Sequence, residues 1–485
     1  MPGLDNLRGG LAFATKDKRS PYDNNYAGWG PRFGFAYRLK NTTVLRGGYG
    51  IFYTQNKGAA SGTGFSDQGF KESTNWLNTY LNDGATPWGF LSDPFPGGPR
   101  PATAARDGLL TDVGFGIAGA IRNRNARPYE QTWSFGVQHQ LPWNVVVDGT
   151  YIGKKGTHLY FGGAGSVDFL SSSQAADFVK NPGYFNDYVD NPFQGIITDP
   201  NSGLYAPTVQ RVHFLSRYPQ FTGVNSTEPP WANSTYHSFQ LRVEKRFSNG
   251  LQFLATYTNQ KSIDDSSVGG GGLTWLGGTL GNVLQDPNNR KLDRSISQFD
   301  ISQILQFSYV YDLPIGHGKP LGRNMHPVLN AVIGGWQTNG IWRFDTGQPI
   351  ILGLSGGQSI PTFGNQRPNL TGTLKKAHPF SLDQYFANPD VAVKPDPYTI
   401  GTAPKVLSNL RMPGTNVAEL SLFKQFGLAK IREGARLEYR IEAFNALNHP
   451  QFCGPNATVG TDNFGKTTCQ ANEPRQVQMA LKFYW

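Results

Sequence analysis

Apolar and polar side chains alternate along the last residues of the chain, from Arg475 to Trp485. One parity is apolar and carries Val477, Met479, Leu481, Phe483 and Trp485. The other parity is mostly polar and carries Gln476, Gln478, Ala480, Lys482 and Tyr484. Because successive side chains of a β-strand point to opposite faces, this pattern predicts a strand with one apolar face. Strands of about ten such residues build transmembrane β-barrels, but the last strand of a soluble β-sandwich shows the same alternation.

The same period-two pattern of aromatic and β-branched residues recurs along the chain and predicts about twelve strands in all. Those before the last are 7–14 (the weakest), 31–39, 42–54, 129–140, 145–152, 236–247, 251–261, 301–313, 336–345, 417–426 and 435–445. The Asn249–Gly250 step predicts a tight hairpin between two of them. The predicted fold is therefore all-β and antiparallel.

The connections between these strands alternate between short turns and long loops rich in Gly, Pro, Asn and Asp. The strands are therefore joined by short turns at one end of the sheet and by long loops at the other. Outer-membrane barrels show this asymmetry, with short periplasmic turns and long external loops, whereas a soluble sandwich has no reason to keep it. If the C-terminus lies at the periplasmic end, every short link falls in the periplasm. The pattern predicts a transmembrane β-barrel.

Charged residues fall on the polar parity of these strands, where a water-filled lumen would receive them. Four arginines are candidates to line a solute path: Arg242, Arg343, Arg436 and Arg440. The alternative, which we favour, is that they pair with neighbouring acids and stiffen the wall: Glu244, Asp345, Glu438 and Glu442. Lys245 lies on the apolar parity but close to a turn, where its amine could reach the headgroups.

Composition agrees with strands that have a wet face and with long polar loops. Apolar residues make up 38% of the 485 residues, aromatic residues 13%, and 59 residues are glycine. No run of about 18 apolar residues predicts a transmembrane helix. The start of the chain, Met1 to Arg8, lacks the basic and apolar regions of a signal peptide. Since a barrel must be exported, we expect a chain of this fold to be a fragment.

The remaining features exclude several classes of function. The net charge of +10 is spread along the chain, so no nucleic-acid partner is expected. No catalytic or metal-binding motif is present, and we expect neither an enzyme nor a cofactor. Gly269 to Gly272 is expected to be a flexible loop. Cys453 and Cys469 are the only cysteines, and they either form a disulfide in an oxidising compartment or remain free thiols.

Six stretches, in this order, resemble the barrel domain of TonB-dependent outer-membrane receptors of the Oar-like type. They are Pro31–Tyr37, Leu45–Tyr53, Tyr129–Gln138, Tyr236–Phe247, Glu442–Pro450 and the aromatic C-terminus. The terminal strand with Val477, Met479, Leu481, Phe483 and Trp485 resembles the signal read by the barrel-assembly machinery. The resemblance spans nearly the whole chain and implies uptake of a solute across the outer membrane.

The same resemblance implies a barrel of about 22 strands with a plugged lumen. Residues 1–485 would then be a single, partial barrel domain, the C-terminal half of the receptor, with no match to the plug, the TonB-binding segment or a signal peptide. TonB would act only through the missing N-terminal part, and the other expected partners are outer-membrane lipid and lipopolysaccharide. The alternatives are a complete, smaller porin-like barrel and a soluble β-rich adhesin or carbohydrate-binding protein.

Overall fold

The structure is a computed structural model of the 485-residue chain. It describes residues 7–19, 23, 26–54, 68–74, 76, 79, 84–96, 98–117, 126–159, 161, 164–227, 229–266, 284–429 and 431–485. The glycine run from Gly269 to Gly272 lies outside the described residues. Among the described residues, no helix is long and apolar enough to cross a membrane.

One antiparallel sheet dominates the described part of the chain, and each long strand in it pairs with the next long strand along the sequence. Its eleven long strands are β1 (Arg32–Lys40), β2 (Thr43–Tyr53), β3 (Tyr129–Leu141), β4 (Val145–Leu159), β5 (Ala232–Ser248), β6 (Leu251–Asp264), β7 (Gln303–Asp312), β8 (Trp336–Asp345), β9 (Asn416–Gly427), β10 (Arg436–Phe444) and β11 (Gln476–Tyr484). A two-residue strand, Ser295–Ile296, pairs with the end of β6. The predicted all-β, antiparallel class is confirmed.

The first predicted strand, 7–14, was wrong. Residues 7–15 have no regular structure, and only Leu7, Leu11 and Phe13 among them are partly buried. Leu7 and Leu11 contact two separate hydrophobic clusters of the loops, and the Gln220 side chain donates to the carbonyls of Arg8 and Gly9 at 3.0 and 3.1 Å. The segment's apolar residues therefore meet loop residues instead of a neighbouring strand, which a period-two pattern cannot distinguish.

The alternation of short and long connections is present in the structure. Turns of a few residues follow β1, β3 and β5, and the last of these is a hairpin in which Asn249 and Gly250 have φ of 52° and 78°. The link 428–435 follows β9, and the longer link 313–335 between β7 and β8 lies at the same end. We call this the short-link end. The five long connections meet at the opposite, long-loop end.

The two faces of the sheet differ as the alternation predicts. Side chains of the apolar parity are exposed to the surroundings, as for Phe239 at 47% and Met479 at 68%. We call this side the apolar face. The other side, the polar face, carries the charged ladders described below.

The long-loop end is folded and has its own hydrophobic cores. One cluster joins connection 346–415 to the last connection, where the rings of Phe386 and Phe464 lie 5.1 Å apart. A second cluster joins Leu170 and Phe178 to Ile360 across connections 160–231 and 346–415. We call this assembly the loop cap.

The loop cap contains most of the minor elements of the described chain. Its helices are α1 (Ser172–Lys180) and α2 (Pro182–Asn186), and a third helix, α3 (Pro327–Ile333), lies at the short-link end. The 3-10 turns are Gly108–Leu110, Arg211–Leu215, Arg290–Asp293 and Pro389–Val391. The remaining short strands are Gly116–Ile117, Ala164–Ser166, Tyr188–Asp190, Thr208–Gln210, Gly223–Thr227, Gly353–Leu354, Asn369–Leu370, Ala392–Val393 and Thr458–Val459.

Candidate functional site

A network of charged and amide side chains covers the polar face of β9, β10 and β11. The Arg440 guanidinium donates to Glu438 at 2.8 Å and to Glu442 at 3.2 Å. Gln425 from β9 donates to the second oxygen of Glu438 at 2.9 Å, and Gln478 from β11 donates to Glu442 at 2.6 Å. The network therefore joins three neighbouring strands through side chains, in addition to their backbone ladder.

The four candidate arginines are spread over the sheet and do not form one cluster. Arg242 on β5 pairs with Glu244 at 2.6 Å, and Arg343 on β8 pairs with Asp345 at 3.1 Å. Arg436 on β10 lies 4.1 Å from the ring centre of Tyr484. Three of the four thus contact the acids that their sequence neighbours supply. These contacts are the ones that the wall-stiffening alternative predicts.

Two buried ion pairs join two connections of the loop cap. Arg411 donates to Asp300 Oδ2 at 2.5 Å and to the Gly347 carbonyl at 3.1 Å. Arg367 pairs with Asp293 at 3.3 Å, and Asp293 is 2% exposed. Burial raises the pKa of Asp293 and lowers the pKa of Arg367. These pairs clamp connection 265–302 to connection 346–415 and are structural in character.

A second charge cluster lies higher in the loop cap, around Arg100. Its guanidinium contacts three carboxylates, those of Glu72, Asp112 at 3.1 Å and Asp199 at 3.2 Å, and it stacks 3.5 Å from the ring centre of Phe115. Burial and then the charge of Asp112 raise the pKa of Glu72 to about 6. Three acids around one cation cannot all be charged at low cost when they are half-buried. The cluster joins connections 54–128 and 160–231 through these ion pairs.

The two cysteines are bonded to each other, with Cα atoms 5.5 Å apart. The bond closes the base of the last connection, where Cys453 N–H also donates to the Cys469 carbonyl at 3.0 Å. Among the described residues, no group of three His, Cys, Asp or Glu side chains could hold a metal ion.

Comparison with known families settles the class of the chain. The sequence model of the outer membrane beta barrel domain matches residues 2–478. The chain belongs to the outer membrane beta barrel domain family. Its location is therefore the outer membrane, as predicted, and the soluble alternative is wrong. In an outer membrane beta barrel domain the apolar face meets lipid and the polar face meets the lumen.

Solved structures of outer-membrane proteins are similar to this outer membrane beta barrel domain. The transporter YddB from Escherichia coli has a TM-score of 0.41 and 10% identity, over 94% of this chain and 40% of that one. The pyoverdine receptor FpvA from Pseudomonas aeruginosa PAO1 has a TM-score of 0.38 and 8% identity, over 94% and 36%. The chain thus spans less than half the length of either protein. A search of curated protein sequences finds no match.

One charged residue that the sequence analysis did not single out lies on the lipid-facing side of the sheet. Lys424 on β9 lies on the lipid-facing parity, opposite Trp336 and Tyr439 in the register. It is 5% exposed, because α3 covers it. Lys245, the exception that was noted in the sequence, lies beside the β5–β6 hairpin and donates to the Ser248 carbonyl at 3.1 Å.

Proposed function

We propose that this chain is part of an Oar-like, TonB-dependent receptor that takes up a solute across the outer membrane. The proposal rests on the strand count of the sheet together with the ordered motifs that resemble this receptor type. The eleven long strands would be one portion of a larger barrel, and the plug and TonB-binding segment would belong to the remainder of the receptor.

The observation that carries the proposal is the direction of the two edge strands. Because eleven antiparallel strands alternate in direction, β1 and β11 both run from the long-loop end to the short-link end. Joining these edges directly would require a parallel seam in an otherwise antiparallel sheet. Single-chain barrels of bacterial outer membranes have even strand numbers and close with antiparallel pairs. The sheet therefore needs further strands, odd in number, to close in the usual way.

The folded loop cap also suits a receptor better than an open pore. A passive pore needs only loops that leave its mouth free, whereas here buried ion pairs, hydrophobic clusters and a disulfide fix the connections relative to one another. Exposed apolar side chains on connection 54–128 give this cap a surface suited to a ligand with apolar groups: Phe70, Trp76, Phe90, Leu91, Leu109 and Leu110.

Assembly of the barrel is expected to involve the terminal strand. Val477, Met479, Leu481, Phe483 and Trp485 are all more than half exposed along the apolar face. Within the described sheet this strand pairs with β10 on one side only, so its other edge is open for pairing, as a strand that is presented to the barrel-assembly machinery must be.

The experiment that tests the proposal starts from the DNA upstream of Met1. A stop-free frame that encodes a plug, a TonB-binding segment and additional strands is expected. The extended protein should bind the purified periplasmic domain of TonB, whereas residues 1–485 alone should not. In planar bilayers with KCl, the extended protein should remain closed.

Two results would overturn the proposal. One is a signal sequence joined directly to this chain in the gene. The other is a steady, open conductance from residues 1–485 alone, since that is the behaviour of a complete, passive barrel.

A further inference from the structure

Helix α3 (Pro327–Ile333) presents an apolar face to the surroundings at the short-link end of the sheet. Val328, Leu329, Val332 and Ile333 are 68%, 50%, 63% and 42% exposed. Residues at these spacings share one side of a helix. Pro327 at the first helical position favours the start of the helix there, and the His326 side chain accepts from Val328 N–H at 3.3 Å.

The opposite side of α3 is fixed to the sheet by polar contacts. The buried Lys424 ammonium donates to the carbonyls of Asn330 and Ala331, both at 2.8 Å. These carbonyls belong to the last turn of the helix, which favours a cation, and the Asn330 carbonyl also accepts from the Gly334 N–H at 3.0 Å. The Trp336 indole donates to the Val332 carbonyl at 2.8 Å. The orientation of the helix is therefore set, and its apolar side points away from the sheet.

Close backbone packing holds the helix in the same position. The Asn330 side chain accepts from His317 N–H at 2.7 Å. A Cβ atom at Gly334 would lie 2.9 Å from the Gly316 Cα and 2.0 Å from Asn330 Oδ1. Only glycine allows this approach, so the helix is docked and not merely tethered.

The exposed side of α3 continues the lipid-facing surface of the barrel. Lys424, Trp336 and Tyr439 lie on the apolar face, and the rings of Trp336 and Tyr439 are 6.2 Å apart. The Tyr439 hydroxyl in turn contacts the Met479 sulfur at 3.4 Å on the edge strand. A row of contacts on the apolar face therefore runs from Met479 on β11 through Tyr439 on β10 to Trp336 on β8, which contacts the helix, and Lys424 on β9 is buried beneath α3.

The charge of the link around α3 suits an anionic headgroup layer. Between Leu313 and Gly335 there are two basic residues and no acidic residue, although one of the two, Lys319, lies 3.9 Å from Asp312 at the end of β7, and the other is Arg323. Arg323 is exposed. A short apolar helix beside basic residues is the pattern of segments that lie in the plane of a membrane interface.

We propose that α3 is an interfacial anchor, whose apolar side lies among phospholipid chains of the leaflet at the short-link end. Arg323 then faces the phosphate groups of that leaflet, while Lys319 stays beside Asp312. The helix would fix the depth of the barrel at this rim, at the one place where the link between strands is long. The inference depends on the outer-membrane location and not on solute uptake.

The test uses single cysteines, because the described cysteines are bonded to each other and leave no free thiol. Leu329→Cys and Val332→Cys carry a bimane label in the full chain, which is refolded into phosphatidylcholine vesicles with and without phosphatidylglycerol. Quenching by lipids brominated on the acyl chain is compared with quenching by aqueous iodide. Met479→Cys is the lipid-facing control, and Gln478→Cys is its polar-face counterpart.

Labels on α3 are expected to lose fluorescence to brominated lipid as strongly as the Met479→Cys label, and to resist iodide. A label on Arg323→Cys should be quenched by iodide and little affected by brominated lipid. Phosphatidylglycerol in the vesicles should increase the quenching of the α3 labels by brominated lipid. Iodide quenching of both α3 labels in vesicles where Met479→Cys is quenched by brominated lipid would overturn the proposal. In that case the helix would face the periplasm, where a soluble partner could cover it.

Discussion

Lys424 shows how a single charge can lie on the lipid-facing parity of a strand. A lysine that faces lipid costs about 2–4 kcal/mol at the bilayer midplane and about 0–1 kcal/mol near the interface, where Lys424 lies. Here two helix carbonyls accept from its ammonium group at 2.8 Å, and the rings of Phe426 and Trp336 lie 5.0 and 5.9 Å from it. The cost is offset because the helix, and not the lipid, surrounds the charge. A strand pattern alone cannot show this, because the helix belongs to a separate link.

Replacement of this lysine is expected to destabilise the folded barrel. Lys424→Ala removes two hydrogen bonds made by a charged group, at a cost of about 2–3 kcal/mol, and the Asn330 carbonyl keeps only the Gly334 N–H as its donor. Lys40→Ala, at an exposed lysine of the same end, should change stability by less than about 0.5 kcal/mol. Urea unfolding in vesicles, followed by tryptophan fluorescence, measures both. Equal effects of the two substitutions would contradict the role assigned to Lys424.

The arginines of the polar face should contribute differently to the free energy of unfolding, according to how deeply each ion pair is buried. Arg440→Ala leaves Glu438, which is 3% exposed, without its cation, and we expect a loss of about 2–4 kcal/mol. Arg242→Ala breaks an ion pair in which the arginine side chain is 57% exposed, so the loss should stay below about 1 kcal/mol. The same unfolding measurement compares them. A larger loss for Arg242→Ala than for Arg440→Ala would contradict the claim that the buried ion pairs on β10 stabilise the sheet more than the exposed pair on β5.

At the scale of elements, period-two alternation predicted the strands well where one face meets lipid. The alternation fails to predict strand ends in segments where neither face meets lipid. Strand β4 was predicted to end at Ile152 but continues to Leu159, because Lys154 and Lys155 keep the backbone ladder after the apolar alternation has stopped. The segment 7–14 shows the opposite error, since its leucines pack into the loops. Period-two alternation shows where one face of a segment is apolar. It does not show where the hydrogen-bonded ladder of a strand begins or ends.

The loop cap could not be predicted because its contacts join residues that are distant in the sequence. Leu170 N–H donates to Thr362 Oγ1 at 3.0 Å, and Arg367 pairs with Asp293. Neither contact has a local pattern. The disulfide was one of two readings of the cysteine pair, and only the structure brings Cys453 and Cys469 together.

The disulfide should stabilise the last connection of the loop cap and leave the sheet largely unaffected. Closing a loop of about 16 residues contributes about 3 kcal/mol in the chain-entropy description. Cys453→Ser/Cys469→Ser should therefore open residues 453–469 to protease at lower denaturant concentration, while heat-modifiable gel migration remains that of a folded barrel. Loss of the heat-modifiable form would instead mean that this connection is needed for the sheet itself.

The Arg100 cluster should make the contact between two connections dependent on pH. The folded pKa of Glu72 is raised to about 6 from an ordinary 4.5. The protonated form is therefore favoured in the folded cap, so its stabilisation is complete below pH 4.5 and is lost as pH rises through 6, by about 2 kcal/mol. Protection factors of the amides in residues 98–117, which correct hydrogen exchange for the pH dependence of the intrinsic rate, should be higher at pH 4.5 than at pH 7. Glu72→Gln should abolish this difference, and its persistence would contradict the assignment.

For the whole molecule, the direction of β1 and β11 makes a prediction about closure that the chain itself can test. Both strands run toward the short-link end, so a ring made of this chain alone would need a parallel seam. We expect the edges to stay apart when residues 1–485 fold in vesicles.

Cysteine pairs that join Met479→Cys on β11 to Phe33→Cys, Phe35→Cys or Tyr37→Cys on β1 should therefore remain unlinked within one chain under mild oxidation. The Ile441→Cys/Met479→Cys pair, whose residues face each other across β10 and β11, should cross-link readily. Gel mobility without reductant separates links within a chain from links between two copies. A link within one chain between β1 and β11 would mean that the sheet closes on itself as a small barrel, and the proposal of a larger receptor would then fail.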